Sequence, residues 1–78
     1  MVLPNTNMKY AITDKQTNEF YPDPTYDTIE KAMIKIDYLN DYRIKNDMPI
    51  RHYGVEALTD ARLSQHDTEW KRYVSMID

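Results

Sequence analysis

One glycine in 78 residues, Gly54, is the feature that most limits how this chain can turn. Glycine is the default residue wherever a backbone needs positive φ. Without it, tight turns fall to Asn, Asp and Pro, and a phosphate-cradling loop, which needs several glycines, is excluded. Cysteine is absent as well, which removes disulfides, thiolate metal sites and thiol nucleophiles together. The fold must therefore be held by side-chain packing alone. Small domains bury only about 60–65% of their unfolded surface, so that packing has little area to work with. The material is nevertheless present: 41% of residues are hydrophobic, and seven Tyr, one Trp and one Phe supply bulky rings.

Turn and breaker residues divide the chain. Residues 1–7 (MVLPNTN) have no periodicity and read as a loose leader, ahead of one domain over 8–78. From Met8 the pattern alternates, with Met8, Tyr10 and Ile12 on one side and Lys9, Ala11 and Thr13 on the other, as in a half-buried strand. Asp14 can open a turn and Asn18, tolerant of the left-handed region, can close it. Glu19-Phe20-Tyr21 then resumes an apolar run, so residues 8–21 read as a hairpin whose underside packs on the first helix. Pro22 and Pro24 end it, because neither can donate to a ladder.

Helical spacing follows. Ile29, Ala32, Met33, Ile36 and Leu39 form one apolar face, which predicts a helix over 28–45 with that face in the core. Asp27 with Glu30 resembles a capping box, Thr28 is the alternative cap, Asn46 suits the C-terminal cap and Pro49 bars continuation. In residues 50–58, Tyr53, Val55 and Ala57 alternate as a third strand rejoining the hairpin would; a helical start near Val55 is the other reading. The last segment carries Leu63, His66, Trp70, Tyr73 and Ile77 at spacings of three and four, a narrow helical seam capped at Thr59 or Asp60, with a later start at Asp67 as the conservative reading. The fold class is α+β: an N-terminal β-hairpin, a central amphipathic helix, a third strand and a C-terminal helix.

The stretch Tyr10 to Tyr21, followed by Thr28-Ile-Glu-Lys-Ala32, is similar in layout to hairpin-plus-helix modules such as the AP2-like integrase arm domains and the HicB-like antitoxin domains. Both groups usually carry glycines in their turns and the arm domains are basic, and this chain departs on both counts. A short, Tyr-rich, cysteine-free chain also resembles, in style, the small proteins of bacterial phages and mobile elements. Such a resemblance implies action by binding, as an inhibitor, an adaptor or a promoter regulator.

The residues themselves single out a surface. On the central helix Ile34, Tyr38 and Tyr42 stand at i, i+4, i+8, nearly opposite the core face, where a surface helix should be polar. Either the C-terminal helix covers this row, or the row docks a partner or a second copy of the chain. Trp70 and Tyr73 pose the same choice between core and helix-pairing surface. His66, within that seam, is expected to be a hydrogen-bonded structural residue.

Catalysis has no motif behind it. The two histidines, His52 and His66, have no metal-ligand spacing, and Ser64 and Ser75 sit in no nucleophile elbow. No cofactor and no metal is expected. Nucleic-acid binding is the rival class, through Arg62, Lys71 and Arg72 or through the hairpin sheet. Charge weighs against it: the net charge is −3, and residues 50–78 hold four bases and five acids. No apolar run approaches a membrane span and no signal-peptide core follows Met1, so the expected setting is cytoplasmic. The sequence thus points to a non-enzymatic protein-binding module, working on another protein or as a homodimer, with Ile34, Tyr38, Tyr42, Trp70 and Tyr73 as contact residues.

Overall fold

The computed structural model describes residues 8–77; the leader assigned to 1–7 lies outside them. Four elements follow one another: β1 (Tyr10–Asp14), α1 (Ile29–Lys45), β2 (Tyr53–Ala57) and α2 (Asp60–Ile77). The α+β class is as expected. Among the described residues, however, the sheet has two strands and not three. β1 and β2 pair antiparallel, with Tyr10 opposite Ala57, Ile12 opposite Val55 and Asp14 opposite Tyr53. So the segment at 53–57 does join β1, whereas Glu19-Phe20-Tyr21 does not become a full strand.

The reason lies in the prolines. After the turn, Thr13 bridges Phe20 and Ile12 accepts a bond from the Tyr21 N–H. Pro22 and Pro24 then offer no N–H, the chain swings out, and pairing resumes only at Tyr26, which exchanges both backbone bonds with Tyr10. β1 is thus bonded along both edges, by β2 on one side and by an interrupted arm, residues 19–26, on the other.

Asparagine and aspartate carry the turns that glycine would otherwise make. Asn18 closes the first turn at φ 62°, its N–H bonded to the Asp14 carbonyl, while the Asp14 carboxylate accepts from Gln16. At the end of α1, Asp47 sits at φ 56°; its N–H bonds Ile44 and the Met48 N–H bonds Arg43, a Schellman closure built without glycine. Thr28, and not Asp27, caps the start of α1, accepting from the Lys31 N–H. Asp27 is drawn away by Lys9 of the β1 approach, 2.9 Å from its carboxylate. Thr59 caps α2 in the same manner, through the Arg62 N–H.

The alternation of β1 and β2 sends their side chains to two faces. Ile12, Val55 and Tyr53 face α1; Ala11, Thr13 and Glu56 face α2, which reaches Glu56 through Arg62. The arm alternates too. Tyr21 meets Tyr53 on the α1 side, while Phe20 meets His66 of α2, so only one of these rings packs where the sequence suggested. The buried apolar set among the described residues is small: Ala11, Ile12, Ala32 and Leu58, with Thr13 and His66 buried beside them. The expected core face of α1 is only partly covered. Ala32 is fully buried, but Ile29 is 44% and Met33 54% exposed. These two overhang the outer edge of the sheet, where no other described residue covers them.

Candidate functional site: the open faces of α1 and α2

The outer face of α1 bears the row singled out by sequence. Ile34, Tyr38 and Tyr42 are 69%, 63% and 55% exposed. α2 does not cover them, because it lies across the opposite face of the sheet. Projected at 100° per residue, Glu30, Asp37 and Asp41 lie on one side of the row, Lys35 lies on the other, and Lys31 and Lys45 fall within its span. The Lys35 ammonium stands 5.4 Å from the Tyr38 ring centre, in cation–π range, and Lys45 pairs with Asp41 at 3.0 Å. The face therefore combines rigid rings with an acidic side and with lysines set among and beyond the rings.

Trp70 and Tyr73 belong to a different surface. They stack on each other at 5.6 Å and 21°, half-buried against the arm. Phe20, Pro22, Asp23, His66, Glu69 and Trp70 enclose a pocket of about 110 Å³. Small-molecule sites usually need about 300 Å³ or more. Burial raises the Asp23 carboxyl above its ordinary range, while Lys35 and His66 pull it back. The same carboxylate accepts a hydrogen bond from the Tyr26 hydroxyl, which fixes the swing between the two prolines. His66, buried, meets Phe20 edge-on at 5.0 Å, a packing role. Beyond Trp70, Met76 and Ile77 at the end of α2 are exposed.

The basic residues of α2 are largely occupied. Arg62 gives its Nε and one terminal nitrogen to Glu56, at 2.7 and 2.9 Å, donates to Gln65, and lies 4.2 Å over the Phe20 ring. That fork holds the Glu56 carboxyl below the usual carboxylate range, helped by the Thr13 hydroxyl, and raises Arg62 in return. Lys71 pairs with Asp67 at 3.0 Å, and Arg72 borders an open depression beside Tyr73. Arg62 thus serves the interior, a role sequence reasoning missed. The available signal was weak: Glu56 and Arg62 are six residues apart with a cap between them.

A second apolar opening lies between α1 and β2. Ile29, Met33, Ile36, Tyr53 and Val55 line a groove of about 330 Å³, with Asp37 at its rim. Among the described residues no group of His, Cys, Asp and Glu could hold a metal, and no helix is long and apolar enough to cross a membrane. The chain matches no family model, no curated protein and no solved structure.

Proposed function

We propose that this chain is a non-enzymatic protein-binding module, acting as an inhibitor, adaptor or regulator by occluding or bridging its target through the outer face of α1. The observation that carries the reading is the exposed row of Ile34, Tyr38 and Tyr42. Such a row adds little to this chain's own core, and its apolar area would gain free energy only by being buried against something else. Tyrosines supply large, stiff contact area with a polar tip, which is what interface centres favour. The acidic side and the lysines among and beyond the rings give a partner a charge pattern to match, and hence an orientation. Trp70 and Tyr73, on the other side of the sheet, form a separate and smaller contact surface.

The test is affinity capture with the tagged full chain, with and without nuclease, beside a Tyr38→Ser/Tyr42→Ser double variant. A stoichiometric protein that survives nuclease and is lost from the folded double variant is the expected result. Recovery that is abolished by nuclease, or equal capture by both proteins, would overturn the reading.

A further inference from the structure

Among the described residues nothing pairs with the outer edge of β2, and its position beside the α1 groove makes it more than an ordinary edge. Lys15 donates to the His52 carbonyl and Leu58 to the Lys9 carbonyl, which sets the phase of the ladder. In an antiparallel pair that phase turns the N–H and C=O of Gly54 and Glu56 toward β1. The N–H and C=O of Tyr53, Val55 and Ala57 then point outward, and none of them has a partner among the described residues. The devices that usually blunt an edge are absent: no proline, bulge or lysine lies within 53–57. Immediately above the edge sit Ile29 and Met33, the exposed part of a helix face whose periodicity is that of a core.

We infer that this edge and groove are the seat of a second copy of the chain, β2 pairing antiparallel with β2 across a two-fold axis at Val55. The register closes on itself, Val55 facing its own copy and Tyr53 facing Ala57 of the second copy, a large ring over a small residue. Along the strands opposite charges approach, the Arg51 end of one running toward Asp60 of the other, while Asp37 at the groove rim is the acidic group brought toward the second copy.

The spacing of the helices is the decisive argument. Neighbouring strands lie about 4.8 Å apart, so an axis midway between two β2 strands stands about 2.4 Å from β2 and about 7.2 Å from β1. α1 packs over both strands. Its axis therefore lies about 4.8 Å to one side of the two-fold, and the two α1 helices come about 9.6 Å apart, within the 8–10 Å of packed helices. Pairing the edges thus brings Ile29 and Met33 of each copy against the other's α1, and the antiparallel helices set their dipoles head to tail. The face that one chain leaves half-open is closed by two. This interface is separate from the outer tyrosine row, which points away from the sheet.

Sedimentation equilibrium of the full chain, from low micromolar to near-millimolar concentration, tests the inference. The expected result is a rise from the 9.4 kDa chain mass to twice that value. Backbone amides of Val55 and Ala57 should gain hydrogen-exchange protection over the same range. Val55→Pro removes an outward-pointing N–H and none that bonds β1, and Met33→Lys puts a charge in the groove. Each should weaken self-association by about tenfold or more, with circular dichroism reporting whether the fold is kept. If the proline variant fails to fold, Met33→Lys and the exchange data still decide. A chain that stays monomeric, a dimer unaffected by Met33→Lys, or protection at Val55 independent of concentration would overturn it. A dimer lost in Tyr38→Ser/Tyr42→Ser but kept in Met33→Lys would move self-association to the outer row.

Discussion

The two faces of the sheet divide polarity and burial in opposite ways. Toward α2 the residues are Ala11, Thr13 and Glu56, met by Arg62, His66 and Phe20: a polar set, yet Thr13 and His66 are buried and the Glu56–Arg62 pair is three-quarters enclosed. Toward α1 the residues are Ile12, Val55 and Tyr53, met by Ile29, Met33 and Ile36: an apolar set, yet it opens as a groove. Burial here follows geometry and not hydrophobicity. Only Leu58 and Thr59 separate β2 from α2, so the first turns of α2 are held against the sheet, where Arg62 and Thr13 both bond Glu56. α1 crosses with a wider apolar face than a two-stranded sheet can cover. The apolar residues left over stay exposed at the groove.

The largest expected effect tests whether the small centre shared by both faces carries the fold. Ile12 is 1% exposed, on the strand bonded along both edges. Ile12→Ala should cost about 3 kcal/mol, from lost transfer energy and the cavity left behind. Urea unfolding checks it. A loss below about 1 kcal/mol would mean that the centre is loosely packed and that the contrast between the faces is overstated.

A smaller effect should come from the polar face. Glu56→Gln keeps the shape but removes the charge that Arg62 and Thr13 address, with an expected cost of about 1–2 kcal/mol, toward the lower figure because the pair keeps some contact with water. Its sign with pH is fixed. Arg62 holds the Glu56 carboxyl below its unfolded value, so the folded chain binds that proton only at lower pH. The pair's contribution is full above the ordinary glutamate range, about pH 4.3, and is lost as pH falls through the lowered value. Stability of the wild type should therefore converge on that of Glu56→Gln in acid. A difference that stays constant down to strongly acidic pH would mean that shape, and not charge, distinguishes the two.

Much of this architecture was legible beforehand, and the failures share one physical cause. The extent of α1, the left-handed Asn18, the Asn46 cap and the start of α2 all rest on contacts within a few residues, and local chemistry decides them. Asp27 was assigned to a cap and instead serves Lys9, a residue 18 positions away. Arg62 was grouped with Lys71 and Arg72 as a phosphate-binding candidate and instead serves Glu56. Met33 was assigned to the core because its spacing is that of a core residue. Spacing tells which side of a helix is apolar; it does not tell how much sheet is available to cover it. For the candidate site the same limit holds. Ile34, Tyr38 and Tyr42 were found by spacing, but that they stand open depended on which face of the sheet α2 would choose.

The smallest expected effect is the one that matters most for the outer row. If Tyr38 and Tyr42 contribute only to contacts outside the chain, Tyr38→Ser and Tyr42→Ser should each change unfolding free energy by less than about 0.5 kcal/mol. Serine lowers helix propensity slightly, and Lys35 loses its ring contact, so a few tenths of destabilisation are already accounted for. A loss of about 2 kcal/mol at either position would require the ring to be buried in solution, against α2 or another part of the same chain. The contrast between a closed polar face and an open apolar helix would then fail at its open end. Near-zero changes together with lost partner capture would separate stability from binding residue by residue.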